Sequence, residues 1–210
     1  MKLGLLTDIH NDAKQLRRAI EILLQSGVEQ FVTIGDSFDP LADPEGISEV
    51  AELLMAHPTQ GVWGNHDFAF CVDTPAPYTE RYTPKLFQVT RLFTPVIERH
   101  YHLLGTIRFS HRECYVDPYD PLELWDLTGD ENDHTERARL ALSQSNHTLQ
   151  FVGHYHQWMA YNRHGKITWN GRETLHFDPA EKYFVVVHAV RDGWCGLLNC
   201  ERRCLVPMEI

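Results

Sequence analysis

The sequence predicts one α/β domain, parallel in its opening third and mostly antiparallel towards its end. Three observations carry that expectation. Short apolar runs at 2–7, 30–36 and 59–63 alternate with helix-period stretches, the βαβαβ order of a parallel sheet covered by helices. The last quarter reads as short strands punctuated by Asn170-Gly171 and Asp192-Gly193, both strong turn signals. A length of 210 residues, with 43% hydrophobic and 23% charged residues, is enough for a real core and ordinary for a globular protein.

The elements follow in order. The run at 2–7 is a buried-strand signal. Asp12 with Gln15 three residues later resembles a capping box, with Asp in the place of Ser or Thr. Leu16, Ala19, Ile20, Leu23 and Leu24 then repeat at helical spacing, and Gly27 supplies a C-terminal cap. A strand at 30–36 leads to a helix over 45–56 with Ile47, Val50, Ala51 and Leu54 on one face, then to a strand at 59–63. Residues 69–95 are richer in proline, and Thr83-Pro84 is an N-cap and first-turn pair for a helix that stops before Pro95. Strands are expected at about 97–103 and 106–110, with Gly105 near their turn. The stretch 117–136 holds eight acidic residues and no Lys or Arg, and reads as a solvated loop entering a helix N-terminus. A helix near 134–145 leads into a strand at 148–152. Trp158, Trp169 and Trp194 fall in strand-like runs as core or sheet-surface residues. No repeat, low-complexity tract or linker divides the chain, so residues 1–210 read as one domain.

Composition also excludes. A net charge of −10 argues against a nucleic-acid partner or an anionic membrane held by a basic face. It does not exclude an anionic substrate, because bound divalent cations reverse the field locally. The run 184–190 is far too short to span a bilayer, and Asp8 interrupts any signal-peptide pattern. Cys71, Cys114, Cys195, Cys200 and Cys204 lack disulfide-framework spacing and read as free thiols, so the expected setting is the cytoplasm.

The chemistry gathers where the strands end. The first ends in "TDIH" with Asp8 and His10, the second in "GDSFD" with Asp36 and Asp39, and the third in "GNHD" with Asn65, His66 and Asp67. The strand at 106–110 ends at His111, and that at 148–152 in "GHYH" with His154 and His156. The C-terminal edge of an open α/β sheet is where ligands bind. Asp8 and His10 are two apart, as are His154 and His156, so in extended segments each pair points one way. Carboxylate, imidazole and amide donors without thiolate suit Mn, Fe, Co, Ni or Zn. A carboxylate such as Asp36 can bridge two cations about 3.5–4 Å apart, the usual clamp for in-line displacement at phosphorus.

Taken together, D-x-H, G-D-x-x-D, G-N-H-D, a strand-terminal His and G-H-x-H resemble the calcineurin-like metallophosphoesterases, over residues 3 to about 156 by motif. The resemblance implies a four-layer α/β/β/α sandwich of two mixed sheets flanked by helices. It implies two divalent ions per chain, Mn²⁺ first and Fe, Zn, Co or Ni as alternatives. One would be held by Asp8, His10, Asp36 and His156, the other by Asp36, Asn65, His111 and His154. His111 is preferred over His100 and His102 because it ends its strand. His66 would face the substrate and protonate the leaving oxygen, paired with Asp39, while Asp67 caps the turn or supports a ligand.

The implied reaction is hydrolysis of a phosphodiester or phosphomonoester by in-line attack of a metal-bridging hydroxide. The expected substrate is a small phosphate ester, a nucleotide among the options. Phe68, Phe70, Tyr78, Arg81 and Tyr82 border the site and either contact the leaving group or, as expected, pack their segment down. Two departures stand out: Arg112 follows His111 where the family often has Gly, and Asn11 follows His10 where Gly is commoner, which predicts a less open first loop. Two other readings stay open. One is a non-catalytic metal-binding scaffold of the same fold, like a retromer subunit, against which His66 and the complete ligand set argue. The other is a mononuclear metallohydrolase.

Overall fold

The computed structural model describes residues 1–40, 44–71, 84–112 and 134–210. Strand β1 (Lys2–Leu6), helix α1 (Ala13–Gln25), β2 (Gln30–Ile34), α2 (Pro44–Met55) and β3 (Thr59–Val62) follow the expected βαβαβ order. Then come α3 (Phe68–Cys71), α4 (Pro84–Thr90), β4 (Phe93–Thr94), β5 (Val96–Tyr101) and β6 (Gly105–Ser110). Helix α5 (His134–Gln144) leads to β7 (Leu149–Val152), β8 (Met159–Asn162), β9 (Gly165–Lys166) and β10 (Leu175–His176). The chain closes with β11 (Tyr183–Val186), β12 (Trp194–Asn199) and β13 (Cys204–Glu209).

The strands form two mixed sheets. The first runs β10-β13-β12-β1-β2-β3-β4, with β1 to β4 parallel and β12, β13 and β10 added antiparallel. The second runs β5-β6-β7-β11-β8-β9, with β6, β7 and β11 parallel. Alternation along the strands makes the layers. Leu3, Leu5, Val32, Ile34 and Val62 face Phe109, Phe151 and Val185 across the space between the sheets. Leu6 and Phe31 turn the other way, onto Leu16, Leu23 and Val50 of α1 and α2. Val152, Phe184 and Val186 cover the far face of the second sheet against Ala138 and Leu142 of α5. Helices, sheet, sheet and helix give the four layers implied by the motif resemblance.

Both ends of α1 follow from sequence, with one difference. Asp12 accepts from the Gln15 N–H at 2.9 Å, but Gln15 Oε1 is buried without a hydrogen-bond partner, so only half of a capping box forms. At the other end Val28 N–H reaches Leu23 O and Gly27 N–H reaches Leu24 O, a Schellman cap with Gly27 at φ +78.

The Asn170-Gly171 hairpin does not form. The two-residue turn lies earlier, at Arg163-His164 between β8 and β9. Gly171 instead lies against the Trp158 ring, where a Cβ would collide, and Asn170 Oδ1 accepts from the Arg172 N–H to close a local turn. Packing on Trp158 overrides the local hairpin preference. Trp158 and Trp169 sit outside the strands; Trp158 is core, and Trp169 and Trp194 pack against it.

Candidate metal centre

The loops after β1 and β2 are zipped together by their backbones. Asp8 N–H donates to Gly35 O at 3.0 Å, His10 N–H to Asp36 O at 3.0 Å, and Asn11 N–H to Ser37 O at 3.3 Å. The loop after β7 joins them: Gly153 N–H donates to His111 O at 3.1 Å, and His154 N–H to Asp8 Oδ2 at 2.9 Å. These bonds force an uncommon conformation. Among the described residues, positive φ at non-glycine positions occurs at Asp8, His10, Asn11, Asp36, His154 and His156, and otherwise at Arg203. Each such residue costs about 1 kcal/mol or more and persists where its surroundings over-determine it. The expected extended i, i+2 geometry is thus corrected: Asp8 and His10, like His154 and His156, reach the site from left-handed turns. His154 and His156 also diverge, entering different groups of donors, whereas Asp8 and His10 enter the same one.

One group is Asp36, His111 and His154, with Asn65 beside it. His111 Nε2 lies 3.1 Å from Asp36 Oδ2, 3.1 Å from Asn65 Oδ1 and 3.3 Å from His154 Nδ1. With metal–ligand bonds of about 2.0–2.2 Å, neighbouring donors of one coordination shell stand roughly 3.0–3.4 Å apart, so this group already has the spacing of a shell. The other group is Asp8, His10 and His156. Asp8 Oδ1 lies 3.4 Å from His156 Nε2 and 3.9 Å from His10 Nε2, a wider arrangement. Asp36 Oδ2 is also 3.9 Å from His10 Nε2, so this carboxylate stands between the groups. Its other oxygen accepts the His66 N–H at 2.9 Å.

The donor set fits a bound cation. Asp8 is fully buried; Oδ2 accepts from Thr7 Oγ1 at 2.6 Å and from the His154 N–H, while Oδ1 has no hydrogen-bond partner. A buried carboxylate oxygen without a hydrogen bond is costly unless positive charge sits against it; His156 Nε2 at 3.4 Å supplies part of that charge, and a cation would supply the rest. In the tighter group the buried His111 imidazole faces the carboxylate. Burial works against charge on His111, but the Asp36 carboxylate beside it prevails and pushes the imidazole up to about 9. Its Nδ1–H donates to Ile34 O at 2.9 Å, and its Nε2–H faces Asp36, Asn65 and His154. Burial likewise opposes charge on Asp36, yet His111, with His66 and His10, holds the carboxyl below the usual range. Burial, then His111 and Arg112, push His154 down to about 3, leaving it a neutral donor. Burial also lowers His10, whereas the contact with Asp8 raises His156 against burial.

His66 and Asp39 lie at the rim. His66 Nδ1 is 3.6 Å from Asp39 Oδ1, and the His66 and His10 rings meet edge to face at 4.8 Å. Asp67 is fully buried and accepts N–H groups of Phe38 at 2.7 Å, Gly64 at 3.0 Å and Ser37 at 3.2 Å. It ties the 64–67 turn to the loop after β2, the supporting role expected of it. Burial and the neighbouring Asp36 push its carboxyl up to about 7 against those donors. His100 and His102 are exposed on the β5–β6 hairpin, outside the cluster. Phe70 packs in the core against Phe38, and Phe68 meets Trp63 edge to face. Tyr78, Arg81, Tyr82, Thr83 and residues 117–133 of the acidic stretch lie outside the described residues.

Several contributors were not legible as such. Asp192 Oδ2 sits 2.8 Å from His156 Nδ1, a carboxylate behind a donor histidine. Its sequence signal was only the turn with Gly193. Gly64 and Gly153 are needed for close approach: a Cβ at Gly64 would collide with Asp36, and one at Gly153 with Thr7 Oγ1. Elsewhere, a cavity of about 560 Å³ between α5 and the β8–β9 hairpin gathers no comparable donors. Its Arg139 and Arg163 already face Glu136 and Glu181.

Comparison with known proteins agrees with this fold. A family model described as the calcineurin-like phosphoesterase superfamily domain matches residues 1–191. Among solved structures, the chain resembles a metallophosphoesterase from Sphaerobacter thermophilus at TM-score 0.66 and 18% identity, covering 100% of this chain and 88% of that one. It resembles a novel archaeal phosphodiesterase at TM-score 0.57 and 16% identity, covering 100% of both chains. It also resembles YfcE, a phosphoesterase from E. coli, at TM-score 0.51 and 18% identity, again covering 100% of both. At such identities the likeness is one of fold. No curated protein matches the sequence.

Proposed function

The chain belongs to the calcineurin-like phosphoesterase superfamily, and from that premise we propose a divalent-metal-dependent hydrolase of phosphate esters. Its centre would be held by Asp8, His10, Asp36 and His156 on one side and by Asp36, Asn65, His111 and His154 on the other. The observation that carries this reading is convergence under strain: five of these side chains leave positive-φ backbone to meet within a ligand shell. When bound, two cations supply Lewis acidity toward phosphoryl oxygens and lower the pKa of water; imidazole, carboxylate and amide donors suit Mn²⁺, with Fe, Zn, Co and Ni as alternatives.

The chain's own residues do the rest. Asp36, between the groups, fixes their separation. His66 stands at the exposed rim with 36% of its side chain accessible, its N–H anchored on Asp36 and its Nδ1 toward Asp39. That leaves Nε2 to meet the leaving oxygen and give it a proton, a contribution typically of about 10²–10⁴ in rate. We read residues 1–210 as one domain, because β12 and β13, which run beyond the family match, complete the first sheet beside β1. We infer a cytoplasmic setting: Cys195, Cys200 and Cys204 are buried free thiols, and burial pushes Cys195 up to about 12. No helix of the described residues is long and apolar enough to cross a membrane.

The test is release of nitrophenol from bis- and mono-(p-nitrophenyl) phosphate with Mn²⁺ and after chelation. Turnover that depends on the metal is expected. His66→Ala should lower it by about 10²–10⁴ while the metal content holds. No turnover with any divalent ion would assign the fold to a scaffold, and loss of metal from the His66 variant would overturn the role given to His66.

A further inference from the structure

Asn11 has no part in the donor groups, yet it is buried, at φ +65, between His10 and the N-cap Asp12. Both ends of its side-chain amide bond the same residue. Asn11 Nδ2 donates to Asp39 O at 2.8 Å, and Asp39 N–H donates to Asn11 Oδ1 at 2.9 Å. The pair copies the two-way bonding of neighbouring strands, made here by a side chain on a backbone. Asn11 is itself held fast: its N–H reaches Ser37 O, and its carbonyl accepts from the Ala13 N–H at 2.9 Å. Gly46 of α2 presses on the same carbonyl, where a Cβ would come within 2.6 Å. A rigid anchor thus fixes both peptide groups that flank the Asp39 Cα, and so the direction in which its Cα–Cβ bond leaves the backbone. The Asp39 carboxylate points to His66 Nδ1 at 3.6 Å.

We propose that Asn11 is a positioning residue for His66, acting through Asp39. The inference rests on the role given to His66 above. The paired hydrogen bonds hold Asp39 so that His66 keeps its proton on Nδ1 toward the carboxylate when neutral and presents Nε2 outward. The side chain that makes the first loop less open than a glycine would is the one that aims the proton donor.

Asn11→Gly tests this, because glycine accepts the positive φ and removes both bonds. Two readouts are used. The first needs no turnover: ring ¹⁵N spectra of the metal-free protein at pH 8, with the His66 signals assigned by their loss in His66→Ala. The wild type should show His66 protonated at Nδ1, and Asn11→Gly should move it toward the tautomer mixture of a free histidine. Identical His66 signals in the two proteins would overturn the proposal.

The second readout is leaving-group dependence. Asn11→Gly should slow hydrolysis of a phenyl ester about tenfold more than that of the nitrophenyl ester, since only the poorer leaving group needs the proton. In an Asp39→Asn background that extra loss should vanish, the mark of two residues acting in series. Equal slowing of both esters, loss of bound metal, or an unchanged effect in the Asp39→Asn background would contradict it. If His66→Ala itself shows no leaving-group dependence, the reading of His66 fails instead, and the ring spectra still decide whether Asn11 positions it.

Discussion

The two donor groups differ more than their matching composition suggests. In the Asp36–His111–His154 group the distances from His111 Nε2 are 3.1–3.3 Å, and His111 is fully buried. In the Asp8–His10–His156 group the distances are 3.4 and 3.9 Å, and 32% of the His156 side chain is exposed. The first is a closed pocket in which the buried His111 imidazole sits against the Asp36 carboxylate. The second is an open jaw with an unsatisfied oxygen, Asp8 Oδ1. The difference teaches that the buried group is set by the fold and the open group by what binds. Cation exchange and contact with substrate should belong mainly to the open side.

The largest effect should come from removing what the groups share. Asp36→Asn should disturb both at once and lower turnover by about 10³-fold, with loss of bound metal seen by elemental analysis. A variant that keeps two ions would break the assignment of Asp36 to the position between them. Next, Asp192→Asn should weaken affinity at the open group alone, by about 10–100-fold, in a metal titration that resolves two steps. Equal weakening of both steps would mean that the groups do not bind separately.

The pH behaviour of the metal-free protein sharpens the contrast further. His111 is raised from 6.5 to about 9, so the stability from its pairing with Asp36 is fully present below about pH 6.5. It is lost as pH rises through about 9. Asp67, raised to about 7, acts in the same direction at lower pH: charging this buried carboxyl costs stability as pH rises from about 4 through 7. Below about pH 6.5 the lowered His154 and His10 oppose Asp67, so denaturation with chelator present should show stability falling between about pH 7 and 9, where His111 decides. Metal loading at pH 7 should release about one proton from His111, read by calorimetry in buffers of different ionisation heat. Loading without proton release would mean that the buried group is not filled. The smallest effect is a control far from both groups: Gly27→Ala, at φ +78, should cost about 1 kcal/mol in denaturation and leave metal affinity alone.

Much of this was legible because strands and polar strand ends are local signals. The apolar runs before Asp8, Asp36, Asn65, His111 and His154 marked both the sheet and its ligand edge. What the sequence hid is long-range or conformational. Asp192 stands 36 residues from His156, so only folding reveals the pair. The left-handed turns at Asp8 and His10 depend on hydrogen bonds to Gly35 and Asp36, and spacing alone suggested an extended segment. The Asn170-Gly171 turn yielded to the Trp158 ring for the same reason, a tertiary contact outweighing a local preference. In the sequence Asn11 is only a replacement of glycine; the fold brings the Asp39 backbone to its amide.

The most direct measurement is a Mn²⁺ titration of the metal-free protein followed by electron paramagnetic resonance. Two ions per chain should bind, and the second should convert the signal to that of an exchange-coupled pair, as a shared Asp36 requires. Saturation at one ion, or two ions that remain magnetically independent, would contradict a centre built around that carboxylate.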